Sequence, residues 1–268
     1  IPHVTMKSME TISVSRNNRV GTLTLNRPAV HNALHIDMIR EFTHAFESLE
    51  QDPSVTLIVI NNNGKNFSAG ADLQWMKKGL DQSAETLQQE SHELGSLFHR
   101  IYQSPKVTLS AVKGKVIGGA NGIISATDFT LAESTSSFAF SEARLGLIPA
   151  TIAPFVVRKA GITLARKWML TAIPITAQEA YEGNLVQEIC PQGTLEESTE
   201  LLTTTLLRNA PGSLTGIKEL LRYLERENDP KHILDHTARL IAQFRTGEEG
   251  QEGMNAFFEK RTPNWRHE

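Results

Sequence analysis

Residues 67–73, with the sequence FSAGADL, and residues 114–122, with the sequence GKVIGGANG, are the two segments that indicate most about the fold of this chain. Each follows a strand-like run and precedes a helix-like run. At such a turn the first backbone N–H groups of the helix have no partner within it, so they can point at an oxygen that gains negative charge. Two converging turns would form an oxyanion hole. A third segment, residues 138–142 (FAFSE), supplies a carboxylate at Glu142 that could move protons beside it.

The glycines also admit a purely structural interpretation. Gly70 permits a turn that a β-carbon would obstruct, and Ala71 follows where a helix would begin. Gly118 and Gly119 open a run of small residues up to Thr127, which predicts a buried helix whose first N–H carries partial positive charge. Short glycine motifs are weak evidence, and tight turns with close packing explain the spacing without any function. No Lys-Ser or Lys-Thr pair follows the second segment, so the chain lacks a P-loop.

The first half of the chain alternates strands with helices. Residues 11–25 alternate apolar and polar side chains on either side of a central turn, which predicts a β-hairpin. Apolar residues at helical spacing predict a helix over residues 33–49, and a mostly polar helix is expected over residues 84–102. Buried strands are expected at residues 55–60 and 107–112. This alternation predicts an α/β fold with mainly parallel connections.

The second half is mainly helical, because strand signals nearly vanish beyond Pro149. Capping-box spacing at residues 176–179 and 194–197 predicts two helix starts. Three more amphipathic helices are punctuated by Pro211, Pro230 and Gly247. We therefore divide the chain into an α/β core, residues 1–195, and a helical C-terminal region, residues 196–268.

Composition narrows the class of protein. The 268 residues suit one large domain, and the net charge of −3 gives no reason to expect binding to nucleic acid or to an anionic membrane. The single cysteine, Cys190, excludes an internal disulfide and fits a reducing compartment, so we expect a cytoplasmic protein. No apolar run approaches the roughly 20 residues needed to span a bilayer. The first residues lack the apolar centre of a secretory signal, and we expect the natural start at Met6.

Several motifs together resemble one family. In chain order they are residues 26–28 (NRP) with 32–34 (NAL), 67–72 (FSAGAD), 118–119 (GG), 141–149 (SEARLGLIP) and 253–261. The combination resembles the crotonase, or enoyl-CoA hydratase/isomerase, superfamily over nearly the whole chain. The resemblance implies a core spiral of ββα units and a C-terminal helical trimerisation region. It also implies assembly as a homotrimer or a dimer of trimers.

The resemblance also implies roles for individual residues. The oxyanion donors would be the N–H groups of Ala71 and Gly119, and Glu142 would be the acid–base residue. Coenzyme A would bind in a bent form as part of the substrate, with no separate cofactor and no metal. Its implied contacts are Arg27, Pro28, Ala29, Val30, Ala69 and Asp72, with Lys260 reaching the phosphates from a neighbouring subunit.

One position departs from the family pattern. Typical hydratases of the family hold water between two glutamates, one of which lies three residues after the second oxyanion glycine. That position is Gly122 here, so only Glu142 remains. The first interpretation is hydration with water positioned by another group, such as Asn121 or a glutamate from elsewhere. The second is double-bond isomerisation, which family isomerases often perform with one glutamate, and the third is binding of an acyl-CoA without turnover.

Two stretches bear on this choice. Residues 71–76 (ADLQWM) and 141–155 resemble bacterial methylglutaconyl-CoA hydratases of leucine breakdown, which favours hydration. A substrate with a distal carboxylate would need a cation, and Arg144 or Arg158 could supply one, although either could instead form a surface or intersubunit salt bridge. Just after the first glycine segment, Trp75 and Met76 could line an acyl pocket or simply pack in the core.

Other candidate sites are weaker. Two histidine pairs are spaced four residues apart, His31 with His35 and His232 with His236. A metal site would need a third ligand, the first pair lacks the glutamate of the zinc-peptidase motif, and nine histidines produce such spacings by chance, so no metal site is predicted. Ser68 and Ser141 lie outside the Gly-x-Ser-x-Gly context of a hydrolase nucleophile. No basic stripe supports RNA binding.

Overall fold

The computed structural model describes residues 9–266, so the start predicted at Met6 lies outside the described residues. Its strands are β1 (Ile12–Asn17), β2 (Val20–Leu25), β3 (Leu57–Asn62), β4 (Val107–Val112), β5 (Lys115–Ile117), β6 (Phe129–Glu133), β7 (Ser137–Ala139), β8 (Ile175–Thr176) and β9 (Glu188–Cys190). Its α-helices are α1 (Ile36–Gln51), α2 (Leu73–Gly79), α3 (Ala84–Gln103), α4 (Ala120–Ala126), α5 (Ala153–Thr171), α6 (Ala177–Glu182), α7 (Leu195–Leu207), α8 (Pro211–Leu224), α9 (Pro230–Thr246) and α10 (Glu248–Phe258). Two short 3-10 helices lie at Pro28–Val30 and Glu142–Leu145.

The described residues form two compact units. The first comprises residues 9–104 and 108–199, and the second comprises residues 105–107 and 200–266. The first unit holds the mixed strands and helices, whereas the second is built mainly from α8, α9 and α10. The oligomerisation role that we expect for residues 196–268 stays a prediction.

Two sheets organise the α/β part. One has six strands in the order β1-β2-β3-β4-β6-β9, and the other has three in the order β5-β7-β8. The predicted hairpin is confirmed, because β1 and β2 pair antiparallel around Asn18 and Arg19, which adopt positive φ angles of 43° and 66°. The pairs β2–β3, β4–β6 and β6–β9 are parallel. These connections confirm the α/β class.

Helix α1 buries its apolar face against the six-stranded sheet, where Met38, Phe42 and Leu49 are almost fully shielded from solvent. Their spacing of three to four residues per turn places them on one side of the helix. The helix begins at Ile36, later than the predicted residue 33, because His35 caps it. His35 Nδ1 accepts a hydrogen bond from Met38 N–H (3.0 Å).

Helix α3 covers the same core with a narrower apolar face. Its bounds confirm the predicted polar helix, and Leu97, Phe98 and Ile101 are its buried residues. Helix α4, which begins within the second glycine segment, is buried at all seven positions, as its run of small residues predicts. Small side chains allow this short helix to pack on several elements at once.

Four of the later helices begin where a capping box, a proline or a glycine in the sequence predicts. Thr176 and Glu179 form a reciprocal capping box at the start of α6. Helices α8 and α9 begin at Pro211 and Pro230, and Gly247 directly precedes α10. Proline fits the first helical turn because its missing N–H would have no partner there.

Candidate active site

The two glycine segments lie side by side, as the oxyanion hypothesis requires. Ser68 and Val116 form an isolated parallel bridge. Ser68 N–H donates to Lys115 O (3.0 Å), and Ser68 O accepts from Ile117 N–H (3.1 Å). Gly70 follows with a φ of 88°, and a β-carbon there would lie 3.0 Å from Ile117 O. Glycine therefore allows the first segment to pass this close to the second.

The Ala71 N–H is the first candidate oxyanion donor. Leu34 pairs with Ala71 in a second parallel bridge. Leu34 N–H donates to Gly70 O (2.7 Å), and Asp72 N–H donates to Leu34 O (2.8 Å). The bridge thus uses Gly70 O and the Asp72 N–H, the backbone groups on either side of Ala71. The Ala71 N–H itself has no acceptor among residues 9–266. The exposed Ala71 backbone can therefore donate to a ligand.

The Gly119 N–H is the second candidate donor. Gly118 N–H donates to Ala139 O (2.8 Å), whereas the Gly119 N–H finds no acceptor in the described part of the chain. A β-carbon on Gly119 would lie 3.7 Å from Leu94 Cδ2 and 3.9 Å from Leu34 Cδ1. These leucines give the donor an apolar surrounding, in which a hydrogen bond to a charged oxygen is stronger than in water.

Glu142 places its carboxyl group against the second glycine segment. Its Oε1 lies 3.4 Å from the position of a β-carbon on Gly118, the residue directly before the Gly119 donor. Burial raises the pKa of Glu142, although a hydrogen bond from its own backbone opposes the shift. Its Oε2 is buried and has no hydrogen-bond partner within residues 9–266. The structure thus brings together the carboxylate and the oxyanion segment that the sequence singles out.

The segment before Glu142 is firmly anchored. Phe140 is buried and stacks on Trp168, with ring centroids 5.8 Å apart and an interplanar angle of 6°. Glu142 then opens a 3-10 helix that ends at Gly146, whose φ of 73° suits glycine. This turn directs the carboxylate inward and differs from the solvated strand end that an isolated glutamate would suggest.

Gly122, where typical hydratases carry another glutamate, has no room for a side chain. A β-carbon there would collide with the ring of Phe98 and would lie 2.8 Å from Ile152 Cγ2. Both side chains are fully buried. The space of the missing carboxylate is therefore filled by hydrocarbon.

Asn121 uses its side-chain nitrogen to hold the second glycine segment, and the water-holding role that we considered for it stays a prediction. Its Nδ2 donates to Gly118 O (3.0 Å) and to Ala139 O (3.0 Å). These bonds fix the backbone around the second glycine segment, and the residue is fully buried. Its Oδ1 is buried and has no hydrogen-bond partner within residues 9–266, so the fold uses only the nitrogen of this amide.

The predicted coenzyme A contacts cluster next to the first glycine segment. Pro28, Ala29 and Val30 form an exposed 3-10 helix. Ala69 N–H donates to the backbone oxygen of the following residue, His31 (2.9 Å), which ties the two segments together. Lys260 lies in the second unit, just past α10, with a φ of 55°. Its proposed contact with phosphate stays a prediction.

Arg27 and Asp72 form an ion pair beside this cluster. Both guanidinium Nη atoms lie 3.1 Å from Asp72 Oδ2, and Nη1 also donates to Ala33 O. Asp72 Oδ1 caps α2 by accepting hydrogen bonds from Gln74 N–H (2.9 Å) and Trp75 N–H (3.3 Å). The pair therefore fixes the loop before α1 relative to the start of α2.

We expect Asp72→Asn to lower the free energy of unfolding by about 1–3 kcal/mol at pH 7, because Arg27 loses its carboxylate and α2 its charged cap. Burial alone would raise the pKa of Asp72, but hydrogen bonds from Gln74, Trp75 and Arg27 lower it overall. The stabilisation is therefore present above the unfolded-state pKa of about 4 and is lost as pH falls through the lower folded-state pKa. Urea unfolding across this range measures it. A wild-type advantage that persists unchanged in acid would contradict this assignment.

The two arginines considered for a distal carboxylate differ in their surroundings. Arg158 lies over the ring of Tyr102, with its Cζ 4.5 Å from the centroid. Arg144 is exposed on the 3-10 helix that begins with Glu142, and no ion pair is found for it in the described residues. Arg158 is exposed as well, so exposure does not separate the two arginines, and a contact of either with a substrate stays a prediction.

The remaining candidates have structural roles. Ser68 is buried, and its Oγ accepts a hydrogen bond from Gly70 N–H (3.2 Å). His232 Nδ1 lies 3.3 Å from a Glu227 carboxylate oxygen, and His236 stacks on Tyr223. Within residues 9–266, no group of three or more His, Cys, Asp or Glu side chains could hold a metal ion.

Sequence reasoning missed the part that α3 plays. Leu94 contacts the Gly119 region and Phe98 fills the space at Gly122, so two successive turns of α3 line the second glycine segment. One turn earlier, Glu90 Oε2 accepts a hydrogen bond from Trp75 Nε1 (2.8 Å). The apolar spacing of residues 94, 98 and 101 was the available signal, but it indicates only a buried face.

Comparison with known proteins agrees with this geometry. The family model described as enoyl-CoA hydratase/isomerase matches residues 15–268. A 2,3-dehydroadipyl-CoA hydratase from Escherichia coli is 32% identical over 96% of this chain and 99% of its own length. A trans-2-decenoyl-[acyl-carrier-protein] isomerase from Streptococcus mutans is 30% identical over 93% of this chain and 95% of its own. The crystal structure of an enoyl-CoA hydratase from Shewanella pealeana superposes with a TM-score of 0.93 at 39% identity, covering 96% of this chain and 97% of the other.

The chain belongs to the enoyl-CoA hydratase/isomerase family and has the crotonase fold. It is an enzyme of that family, which sets aside the interpretation as a non-catalytic acyl-CoA binder. None of the helices described in residues 9–266 has the length and apolar character to cross a membrane.

Proposed function

We propose that the enzyme is a hydratase that adds water to a 2-enoyl-CoA thioester, with Glu142 as its one acid–base carboxylate. The observation that supports this most is the position of Glu142 Oε1, which lies 3.4 Å from where a β-carbon of Gly118 would stand, directly before the Gly119 donor. If the Ala71 and Gly119 N–H groups bind the thioester oxygen, C2 and C3 of the enoyl group would lie beside that carboxylate. The raised pKa of Glu142 suits a group that accepts and returns a proton.

In the proposed reaction the ionised Glu142 carboxylate takes a proton from water as the water oxygen bonds to C3 of the enoyl group. The C2–C3 π electrons move toward the thioester and form an enolate, whose oxygen is stabilised by the two backbone donors. Glu142 then gives its proton to C2, and the thioester carbonyl re-forms. One carboxyl group has two oxygens and can perform both transfers on the same face of the double bond.

The proposed substrate class is a branched enoyl-CoA with a distal carboxylate, such as 3-methylglutaconyl-CoA of leucine breakdown. Support comes from the resemblance of residues 71–76 and 141–155 to methylglutaconyl-CoA hydratases. The Escherichia coli relative is named for a dicarboxylic enoyl-CoA. Arg144 is exposed and lies two residues beyond Glu142 in the chain, so it is our candidate for the cation that would bind the distal carboxylate.

The substrate proposal predicts that 3-methylglutaconyl-CoA is consumed faster than crotonyl-CoA, at a higher kcat/KM. Loss of the ultraviolet band of the conjugated thioester measures both reactions under identical conditions. Arg144→Gln should narrow this difference, because it should lower kcat/KM for the charged substrate and leave kcat/KM for crotonyl-CoA unchanged. An equal loss of kcat/KM for both substrates in Arg144→Gln would contradict Arg144 as the partner of the carboxylate. Faster hydration of crotonyl-CoA than of 3-methylglutaconyl-CoA by the wild type would contradict the proposed substrate class.

The alternative is a double-bond isomerase, and the filled space at Gly122 is the observation that favours it. A single base can remove a proton from one carbon and return it to another, whereas hydration must also bind water. The relative from Streptococcus mutans is named as an isomerase. Appearance of the conjugated band from a 3-enoyl-CoA, with no hydrated product, would support this alternative.

We also propose a homotrimer or a dimer of trimers formed through the helical C-terminal region. The support is a groove between α8 and α9 lined by apolar side chains, among which Ile217, Leu234 and Ile241 are exposed. In such an assembly Lys260 would reach the phosphates of coenzyme A in a neighbouring subunit.

Because coenzyme A is part of the substrate, the proposed reaction needs no separate cofactor. A CoA-thioester substrate and the single buried cysteine, Cys190, support a cytoplasmic location.

A further inference from the structure

Lys159, on α5, directs its ammonium group into the interior of the first unit. Its Nζ donates to Ile124 O (2.7 Å), Thr127 O (3.1 Å) and Thr130 Oγ1 (3.0 Å), which uses all three of its N–H bonds. Burial lowers the pKa of Lys159 to about 7, and the nearby charge of Asp128 opposes that shift. A charge in such a place is costly unless it is well hydrogen-bonded.

Two of the three acceptors of Lys159, Ile124 O and Thr127 O, lie at the C-terminal end of α4, and the third, Thr130 Oγ1, lies on β6. This helix is the seven-residue segment Ala120–Ala126, with Gly119 as its N-cap residue and Thr127 as its C-cap residue. Seven residues at 1.5 Å each span about 10 Å. Lys159 therefore holds one end of α4, and the candidate oxyanion donor Gly119 lies at the other.

We infer that Lys159 is a positioning residue for the reaction: its ammonium group fixes α4 and adds positive potential at the Gly119 N–H. This inference rests on the proposed function. With one hydrogen bond of about 3 Å at each end of α4, the charge lies about 16 Å from the developing enolate oxygen, and at an effective dielectric constant of about 20 it changes the rate roughly fivefold. The thioester oxygen gains most of its negative charge in the transition state, so the effect falls on kcat rather than on KM.

The test compares Lys159→Met and Lys159→Gln with Lys167→Met. Lys167 is an exposed lysine in the same span, Ala153–Thr171, but beyond the helix break at Gly161 (φ 79°, ψ 158°), so its replacement makes the same change in net charge away from α4. Met removes both the charge and the hydrogen bonds, whereas Gln keeps donors for the α4 carbonyl groups without the charge. We expect both Lys159 variants to lose roughly fivefold in kcat with little change in KM, and the control to match the wild type.

A second readout does not depend on turnover. Butyryl-CoA carrying ¹³C at the thioester carbonyl cannot be hydrated, and its carbonyl stretching frequency reports the polarisation of the bound group. Binding to the wild type should lower this frequency, and the Lys159 variants should lower it less. In the Glu142→Gln variant, where no carboxylate beside the thioester ionises, the shift should also weaken from about pH 6 to about pH 9 as Lys159 loses its proton, which tests the inference even if neither Lys159 variant folds.

The outcomes separate the two proposals. A wild-type enzyme that neither hydrates enoyl-CoA nor polarises butyryl-CoA would overturn the proposed function. Normal wild-type turnover and carbonyl shift, with Lys159 variants that match the Lys167 control, would overturn the role of Lys159. A loss of stability in the variants without a loss of kcat would show that the lysine supports the fold alone.

Discussion

Glu142→Gln is expected to reduce kcat for enoyl-CoA hydration by about 10²–10⁴-fold, because the amide can neither accept the proton of water nor return one to carbon. Binding of butyryl-CoA should be retained, since the Ala71 and Gly119 donors are backbone groups. Steady-state kinetics measures the first effect and calorimetry the second.

The same variant should be at least as stable as the wild type. Burial raises the pKa of Glu142, and its Oε2 has no partner in the described residues, so the ionised carboxylate is unfavourable in the folded state at neutral pH. A neutral amide removes that cost. Glu196→Gln, an exposed glutamate on α7, is the matched control for both activity and urea unfolding. Full turnover by Glu142→Gln would remove Glu142 from the mechanism.

Gly122→Glu, which restores the glutamate of typical hydratases, is expected to lower the free energy of unfolding by about 3 kcal/mol or more. Even its β-carbon would collide with Phe98 and approach Ile152. Gly95→Glu makes the same exchange on α3 where a β-carbon meets no atom within 4 Å. That control should be neutral or stabilised by about 0.5–1 kcal/mol, because glutamate favours a helix more than glycine does. Urea unfolding compares the two variants.

The companion variant Gly122→Glu/Phe98→Ala tests the cause of that loss. Removing the ring makes room for the new side chain, so the double variant should be more stable than the sum of the two single changes by about 0.5–3 kcal/mol. Strictly additive losses would show that the ring of Phe98 does not limit the space at residue 122. A Gly122→Glu protein as stable as the Gly95→Glu control would contradict the filled site altogether.

The sequence contains enough local information to predict the elements around the site. The hairpin is encoded by period-two alternation around a turn, and α4 by its run of small residues. Gly70 and Gly118 were recognisable because a turn between a strand and a helix needs positive φ, and both adopt it. Glu142 required the family resemblance, since one glutamate beside a strand carries no chemical signal by itself.

Contacts between distant residues could not be predicted in the same way. Phe98 and Gly122 meet because α3 packs on α4, and nothing in the sequence of either helix specifies that register. Arg27 and Asp72 pair across 45 residues. Lys159 was indistinguishable from a surface lysine until its three acceptors were in place. Such interactions depend on tertiary packing, which local periodicity does not encode.

The most direct test of the proposed chemistry is incorporation of oxygen from H₂¹⁸O into the product of 3-methylglutaconyl-CoA. Mass spectrometry should find one ¹⁸O atom and the mass of one added water in the acyl group, with no such product from Glu142→Gln. A wild-type product of unchanged mass, in which only the double bond has moved, would contradict hydration and identify the enzyme as an isomerase.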